Sequence, residues 1–559
     1  MTLSRRDLLK IGALGGAAVA LPLERIAQTK GGVDRMRTSA MPRPFTRPFI
    51  TPPAAVRTGT TEITCFDGIK RSYPSYDLTQ TFGVAEIMPG YKTPVFGYNG
   101  CLAGPTITAH HDVPIVVNQR NALHLPPAAP YQNAKVPSPY TSNPFQRWTS
   151  THLHGSASLP QFDGYASDIT MPGQMKSYFY PNCQEARTLW YHDHGVHHTS
   201  QNAYNGLAAM YILHDEHELA LGIPQGRYDV PVVIRDAMFD SKGGLVYDDN
   251  SESGVYGDVI LINGVPWPEM VVEPRKYRFR FLNASVSRSY KWQLSDGRSS
   301  VPMTIVGTDA GLVPKPQVVG SFRHGMAERY EVVVDFANYK GASLTLKNLM
   351  PDNNVDYDTV AYAMRFKVGS AVTSTDNNSI PADIKPAECM TFTEADLKSQ
   401  KVPERRFEFI RTNSQWTING ETWENVIDSG YTHCMAEPEE NGIEIWELAN
   451  PSGGWFHPVH IHLIDFQILS RNGSAANVFP HEKGPKDVVY VGENETVRVA
   501  MRFAGPSAGE GWPTPRGRYM MHCHNLVHED HDMMMQFSVG DHEHVAELDP
   551  IAAARPSSV

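Results

Sequence analysis

The stretch Tyr519-Met520-Met521-His522-Cys523-His524-Asn525-Leu526-Val527-His528-Glu529-Asp530-His531-Asp532-Met533 begins as an alternating, strand-like run and ends in a dense group of soft donors. A thiolate, two imidazoles and a weak axial thioether form the ligand set of a blue copper ion, and Cys523, His528 and Met533 supply three of these. His457 is the candidate for the fourth. Successive side chains on a strand point to opposite faces. Cys523 therefore faces one way and His522 and His524 the other, so a copper on the sulfur is wired through the backbone to two further metal ions. A lone Met is ordinarily core packing. The spacing of Met533 from Cys523 and His528 makes it a ligand candidate instead.

Outward from this segment, the histidines repeat a pattern. With 23 His in 559 residues, chance supplies roughly one His-x-His triplet. The chain has five: His152/His154, His192/His194, His460/His462, His522/His524 and His542/His544. Residues i and i+2 of a strand share a face about 7 Å apart, so each triplet can aim two imidazoles at neighbouring ions. The first four have strand-forming neighbours, such as Leu189-Trp190-Tyr191 and Val459-Ile461-Leu463. The fifth, inside Asp541-His542-Glu543-His544, reads as a charged, solvated tail. Eight imidazoles fit a cluster of three ions holding two, three and three of them. His197, His198 and His531 read as surface or hydrogen-bonding residues.

The remainder of the chain is built for β structure. Short β-branched and aromatic runs such as Ile115-Val116-Val117, Tyr277-Arg278-Phe279-Arg280-Phe281-Leu282 and Tyr330-Glu331-Val332-Val333-Val334 alternate with Gly/Pro/Asn turns. Helical periodicity is scarce. The expected class is all-β, with sandwiches or Greek-key barrels. A chain this long needs several cores. Composition shifts near 222–227 and 368–403 divide it into a lead-in at 31–60, β domains at 61–220, 221–370 and 404–545, a linker at 371–403 and a tail at 546–559.

Ser4-Arg5-Arg6-Asp7-Leu8-Leu9-Lys10 followed by the apolar run Ile11–Leu23 resembles a twin-arginine export signal, placed at 1–30. As a helix that run spans about 20 Å, short of a bilayer core of about 30 Å, so stable membrane insertion is not expected. The protein is expected outside the cytoplasm: periplasmic, at the cell surface or secreted. A net charge of -11 and the lack of any Lys/Arg-rich run argue against nucleic acid. Six cysteines without C-x-x-C spacing argue against zinc and iron-sulfur frameworks. With one cysteine on a metal, the odd remainder leaves at least one further free thiol.

Four motifs in order, His152-Leu153-His154-Gly155, His192-Asp193-His194, His457-Pro458-Val459-His460-Ile461-His462 and His522-Cys523-His524, resemble the signatures of the multicopper oxidases, the family of laccases and bilirubin oxidases. The likeness is greatest to bilirubin oxidases, through Phe162-Asp163-Gly164, the Glu185–His194 and Val272–Leu282 segments, and Cys523–Met534. It implies three cupredoxin-like Greek-key barrel domains and four copper ions: one type 1, one type 2 and two type 3. By this resemblance the type 1 ion takes His457, Cys523, His528 and Met533. The type 2 ion takes His152 and His460. One type 3 ion takes His154, His192 and His524, the other His194, His462 and His522.

The implied reaction removes single electrons from a small reducing substrate at an exposed edge of His457 or His528 and delivers four to dioxygen, giving water. Asp163 and Glu529 are the implied proton relays. Taken alone, Asp163 reads as a turn residue and Glu529 as the partner of a ligand histidine. The substrates implied are bilirubin, phenols or aromatic amines. A cuprous-ion oxidase is the alternative, but the expected Met-rich insert is missing: residues 350–435 hold only Met350, Met364, Met390 and Met435. An electron-transfer or storage protein could dispense with the eight cluster histidines. A metal-free relative would lack the Cys523 segment. The expected partners are substrate, dioxygen and the twin-arginine export machinery.

Overall fold

The computed structural model describes residues 34–123, 148–249, 251–352, 354–385, 391–507 and 509–540, with the backbone of 557–558. The export signal and the His542/His544 triplet lie outside them. Among the described residues the fold is all-β: six sheets with a few helices of one or two turns.

One arrangement recurs three times. A long strand pairs in parallel with a later one: Lys70–Ala85 with Ile115–Asn121, Asp229–Ala237 with Lys276–Asn283, and Glu404–Thr412 with Ile443–Asn450. Around these pairs lie three large apolar cores. One is rich in Val116, Phe179 and Tyr211, one in Val232, Phe279 and Val332, and one in Phe409, Trp446 and Val499. Burial of such aliphatic and aromatic side chains contributes about 1.5–3 kcal/mol each.

Two four-stranded sheets position the histidines. The first has the order Ile107–His110, Ala208–His214, Arg187–Asp193, Thr151–His154. The second has the order Val488–Val491, His457–Ile461, Gly517–Cys523, Met534–Val539. Their registers place His152 opposite His192 and His460 opposite His522.

The strand Lys276–Asn283 shows how the middle of the chain supports these sheets. Its odd positions, Tyr277, Phe279 and Phe281, enter the apolar core, while Arg278 and Arg280 point to the other face and are fully buried. There Arg280 bonds Glu218 at 2.8 Å, Glu331 at 2.6 Å, Asp229 at 2.8 Å and the Thr188 hydroxyl, on the strand that carries His192, at 2.9 Å. Removing one member of a buried ionic group strands the others, at a cost of roughly 3–5 kcal/mol. Arg280→Met is therefore expected to lose that much stability in denaturant unfolding, and a loss below about 1 kcal/mol would contradict this account.

Burial pushes the Glu218 carboxyl up, but His214, Arg278 and Arg280 outweigh it and hold it below its ordinary 4.5. This contribution is complete above pH 4.5 and disappears as the pH falls through the lowered value.

Among the described residues, Cys65, Cys101, Cys183, Cys434 and Cys523 are all free thiols. Cys389 lies outside them. The stretch assigned as a linker contains a short helix, Glu394–Ser399, which buries Leu397 against Ile445 and Leu469.

Candidate metal centre

Four segments from the two ends of the chain bring eight imidazoles into one buried cluster. His152 and His154 lie within a strand, whereas His194, His462 and His524 each follow directly after a strand's last residue. The two sheets interleave their rings: His152 stacks on His462 at 4.0 Å between centroids, and His154 on His460 at 3.6 Å. Trp190 stacks on His192 at 4.1 Å.

Five of the rings are oriented from behind, through Nδ1. His462 Nδ1 bonds the Asp163 carboxylate at 2.8 Å, and His522 Nδ1 lies 2.8 Å from Glu529. His460 Nδ1 donates to the Asp487 carbonyl and His192 Nδ1 to the Asp193 carbonyl, both at 2.8 Å, while His152 Nδ1 donates to the Asp163 carbonyl. A neutral imidazole has one N–H, so these bonds leave the Nε2 atoms as bare lone pairs. Nε2 atoms of the cluster face one another: His194 and His522 at 3.2 Å, His462 and His522 at 3.2 Å, His152 and His460 at 3.4 Å. His154 is reversed. Its Nε2 bonds Asp487 at 3.1 Å, and its Nδ1 is left buried and unpartnered, as are His192 Nε2 and both nitrogens of His524.

Converging lone pairs repel unless a cation lies among them, and burial disfavours protonation of seven of the rings. Burial, reinforced by neighbouring imidazoles, pushes His152, His154, His460, His462 and His524 well below the ordinary imidazole range, and it lowers His192 to about 3 and His194 to about 4. The donor groups His154/His192/His524 and His194/His462/His522 each bring their ligand atoms within 4.8 Å of one another. The residues fit metal ions.

Three of the residues expected at a blue-copper site, His457, Cys523 and His528, bring their donor atoms together beyond the cluster. His457 Nδ1 lies 3.3 Å and His528 Nδ1 3.5 Å from the Cys523 sulfur. Met533 is buried in the same core, with its carbonyl accepting the Cys523 N–H. Burial pushes the Cys523 thiol up, so a bound cation is what stabilises a thiolate here. The chain then enters the short helix Leu526–Asp530, capped by the Asn525 side chain. Consecutive helical residues diverge by about 100°. This lets His528 face the sulfur while Glu529 reaches the cluster rings His522 and His194.

The two predicted acids are both buried, in different electrostatic settings. Burial raises the Asp163 carboxyl well above the usual carboxylate range. Burial also pushes Glu529 up, but His522 and His194 outweigh it and hold it at about 2. Asp163 owes its position to Gly164, whose φ is +79° and whose added Cβ would lie 2.6 Å from the His152 backbone.

One expectation is corrected. Neither His457 nor His528 has an exposed edge: His457 is 0% and His528 1% exposed. The indole of Trp416 and the 251–254 segment, both remote from the motifs, lie over this side of the site. Sequence reading also missed Asp487. It holds His154 and His460, pairs with Arg329 and lies against Gly155, where a Cβ would come 2.6 Å from its carboxylate. His197, as expected for a non-ligand, bonds the Asp530 carbonyl.

Two family descriptions, each named multicopper oxidase, match residues 140–218 and 399–543. Bilirubin oxidase of Albifimbria verrucaria is 41% identical over 454 residues, 79% of this chain and 72% of its own. The chain belongs to the multicopper oxidase family. This multicopper oxidase is also 32% identical to a laccase of Bacillus subtilis, over 80% of this chain and 91% of the relative. The solved McoA multicopper oxidase of Aquifex aeolicus superposes with a TM-score of 0.73 at 26% identity, covering 89% of this chain and all of its own. Its domains are accordingly cupredoxin-like. Residues 2–22 match the twin-arginine translocation signal, so the oxidase is exported by that route. No helix among the described residues is long and apolar enough to cross a membrane.

Proposed function

We propose that this multicopper oxidase holds four copper ions and uses them to take single electrons from small organic donors and reduce dioxygen to water. The observation that carries the reading is the convergence of eight buried imidazoles, with nitrogens turned inward, next to a buried Cys523 whose neighbours in sequence belong to that cluster. The type 1 ion is assigned to His457, Cys523, His528 and Met533. The type 2 ion is assigned to His152 and His460, and the type 3 pair to His154, His192 and His524 and to His194, His462 and His522. When bound, the coppers supply the electron-transfer and oxygen chemistry. The protein fixes their ligands, keeps the site dry and moves protons.

The Cys523 backbone joins the two sites directly, since His522 and His524 flank the thiolate ligand. Asp163 Oδ2 and Glu529 Oε2 each stand behind one cluster ring, at His462 and His522. A carboxyl one ring removed from the reacting oxygen is placed to carry protons, and we assign the relay to these two. The recurring parallel strand pairs favour domains at 61–220, 221–370 and 404–545 with 371–403 between them.

Similarity to bilirubin oxidase favours a bilirubin-type donor over phenols or aromatic amines. Copper analysis of the loaded protein is expected to give about four ions per chain. About one would point to an electron-transfer protein, and none to a structural role. Oxygen uptake with bilirubin, a methoxyphenol and cuprous ion, compared as specificity constants, is expected to favour bilirubin. A preference for cuprous ion would overturn the assignment to organic donors.

A further inference from the structure

With His457 and His528 buried, an electron must cross a covering layer to reach the blue site. Trp416 forms the part of that layer nearest His528. Its indole lies over the imidazole with centroids 3.7 Å apart and planes 23° from parallel, and it meets His457 edge-on at 5.8 Å. Trp416 itself is fully buried, on the strand Gln415–Ile418, which belongs to none of the four motifs. Half-buried Trp455 packs edge-on against it at 5.2 Å.

The indole is held from outside its own sheet. Its Nε1 donates to the Glu252 carbonyl at 2.6 Å, and the Arg411 guanidinium, ion-paired with Glu252, lies 5.0 Å from the ring. His528 Nε2 meets the Asn525 side-chain amide at 3.0 Å, and the segment that follows Glu252 reaches that amide through a chain of hydrogen bonds. That segment is anchored by Ser287, whose hydroxyl accepts from Val255 N and donates to Asn525 Oδ1, beside Cys523 and His524. A part of the chain without a single copper ligand thus fixes both the indole and the imidazole beneath it.

We infer that Trp416 is a positioning residue for the type 1 copper: by stacking on His528 and keeping water from it, Trp416 raises the copper's potential and sets how fast electrons enter. This rests on the type 1 assignment proposed above. One thiolate leaves a net charge of +1 on the cupric site and none on the cuprous site. A dry surrounding penalises the charged form, so excluding water favours reduction. A rigid stacked ring also fixes the orientation of the imidazole, as outer partners of metal ligands do.

The test uses copper-loaded Trp416→Ala, Trp416→Leu and Trp416→Phe beside the parent. The blue absorption band is titrated against redox mediators, and its bleaching by a methoxyphenol is followed without oxygen. Trp416→Ala is expected to keep its coppers and blue band, titrate at a lower potential and bleach about 10-fold more slowly, in the range found for outer partners of metal ligands. Trp416→Phe, which restores a flat ring, is expected to recover most of both. If Trp416→Ala loses its type 1 copper, Trp416→Leu decides, since it keeps apolar bulk without a ring and is expected to bleach more slowly than the Phe variant. A loaded variant lacking the ring with the parental potential and rate overturns the inference. A parent without a bleachable blue band overturns the type 1 assignment itself, so the two failures are told apart.

Discussion

Cys523→Ser is expected to abolish the blue absorption and the type 1 copper while leaving the other ions in place, with oxidation of organic donors falling to background. Its sulfur lies 3.3 Å from His457 and 3.5 Å from His528, at the centre of a fully buried donor group. A serine hydroxyl of nearly the same volume fills the space but supplies no soft, strongly donating ligand. The neighbouring histidines keep their own supports: His522 is held by Glu529, and the strand register pairs His460 with His522 whatever the residue at 523. Copper analysis with absorption and paramagnetic resonance spectra checks this. Retention of blue colour in Cys523→Ser, or of donor oxidation at the parental rate, would place the electron entry elsewhere.

Asp163→Asn is expected to keep all four coppers and the blue colour yet slow oxygen reduction by roughly 100-fold, the lower end of what a positioned acid or base contributes. Asp163 is only 2% exposed, bonds His462 through Oδ2, and has Oδ1 buried without a partner. Asparagine keeps the volume, and its carbonyl oxygen can still accept from His462 Nδ1, so the ring need not move. What it loses is the ability to gain and release a proton. The decisive comparison separates two half-reactions. Bleaching of the blue band by donor without oxygen should match the parent, whereas steady turnover at saturating donor should not. Unchanged turnover would remove Asp163 from the relay and leave it a structural turn residue.

Much of the site was legible in the sequence because its ligands come in pairs two residues apart on strands, a spacing that survives whatever the rest of the fold does. The Cys523 segment was legible because cysteine, histidine and methionine follow one another within eleven residues, from a strand's end through one short helix to the residue before the next strand. The exposed edge expected for His457 or His528 was not found, because what covers them is long-range. Trp416 and Glu252 are 164 residues apart in sequence, and neither carries a pattern that ties it to the site. Asp487 escaped notice likewise. In Lys486-Asp487-Val488 it looks like any strand-end charge, and only folding brings Arg329 to its carboxylate and two cluster histidines to its acceptors. The alternation in Lys276–Asn283 was readable as a strand, but nothing local to it shows that Glu218, Asp229 and Glu331 close over its arginine face.

In the proposed reaction, one-electron oxidation at one buried site is joined to complete reduction of dioxygen at another. This coupling is tested most directly by counting donor molecules oxidised per dioxygen consumed, with a one-electron phenolic donor and a parallel assay for hydrogen peroxide. About four electrons withdrawn for each dioxygen and no peroxide are expected, the signature of copper-based oxygen chemistry carried through to water. About two electrons per dioxygen with matching peroxide, or donor oxidation without oxygen uptake, would contradict the coupling.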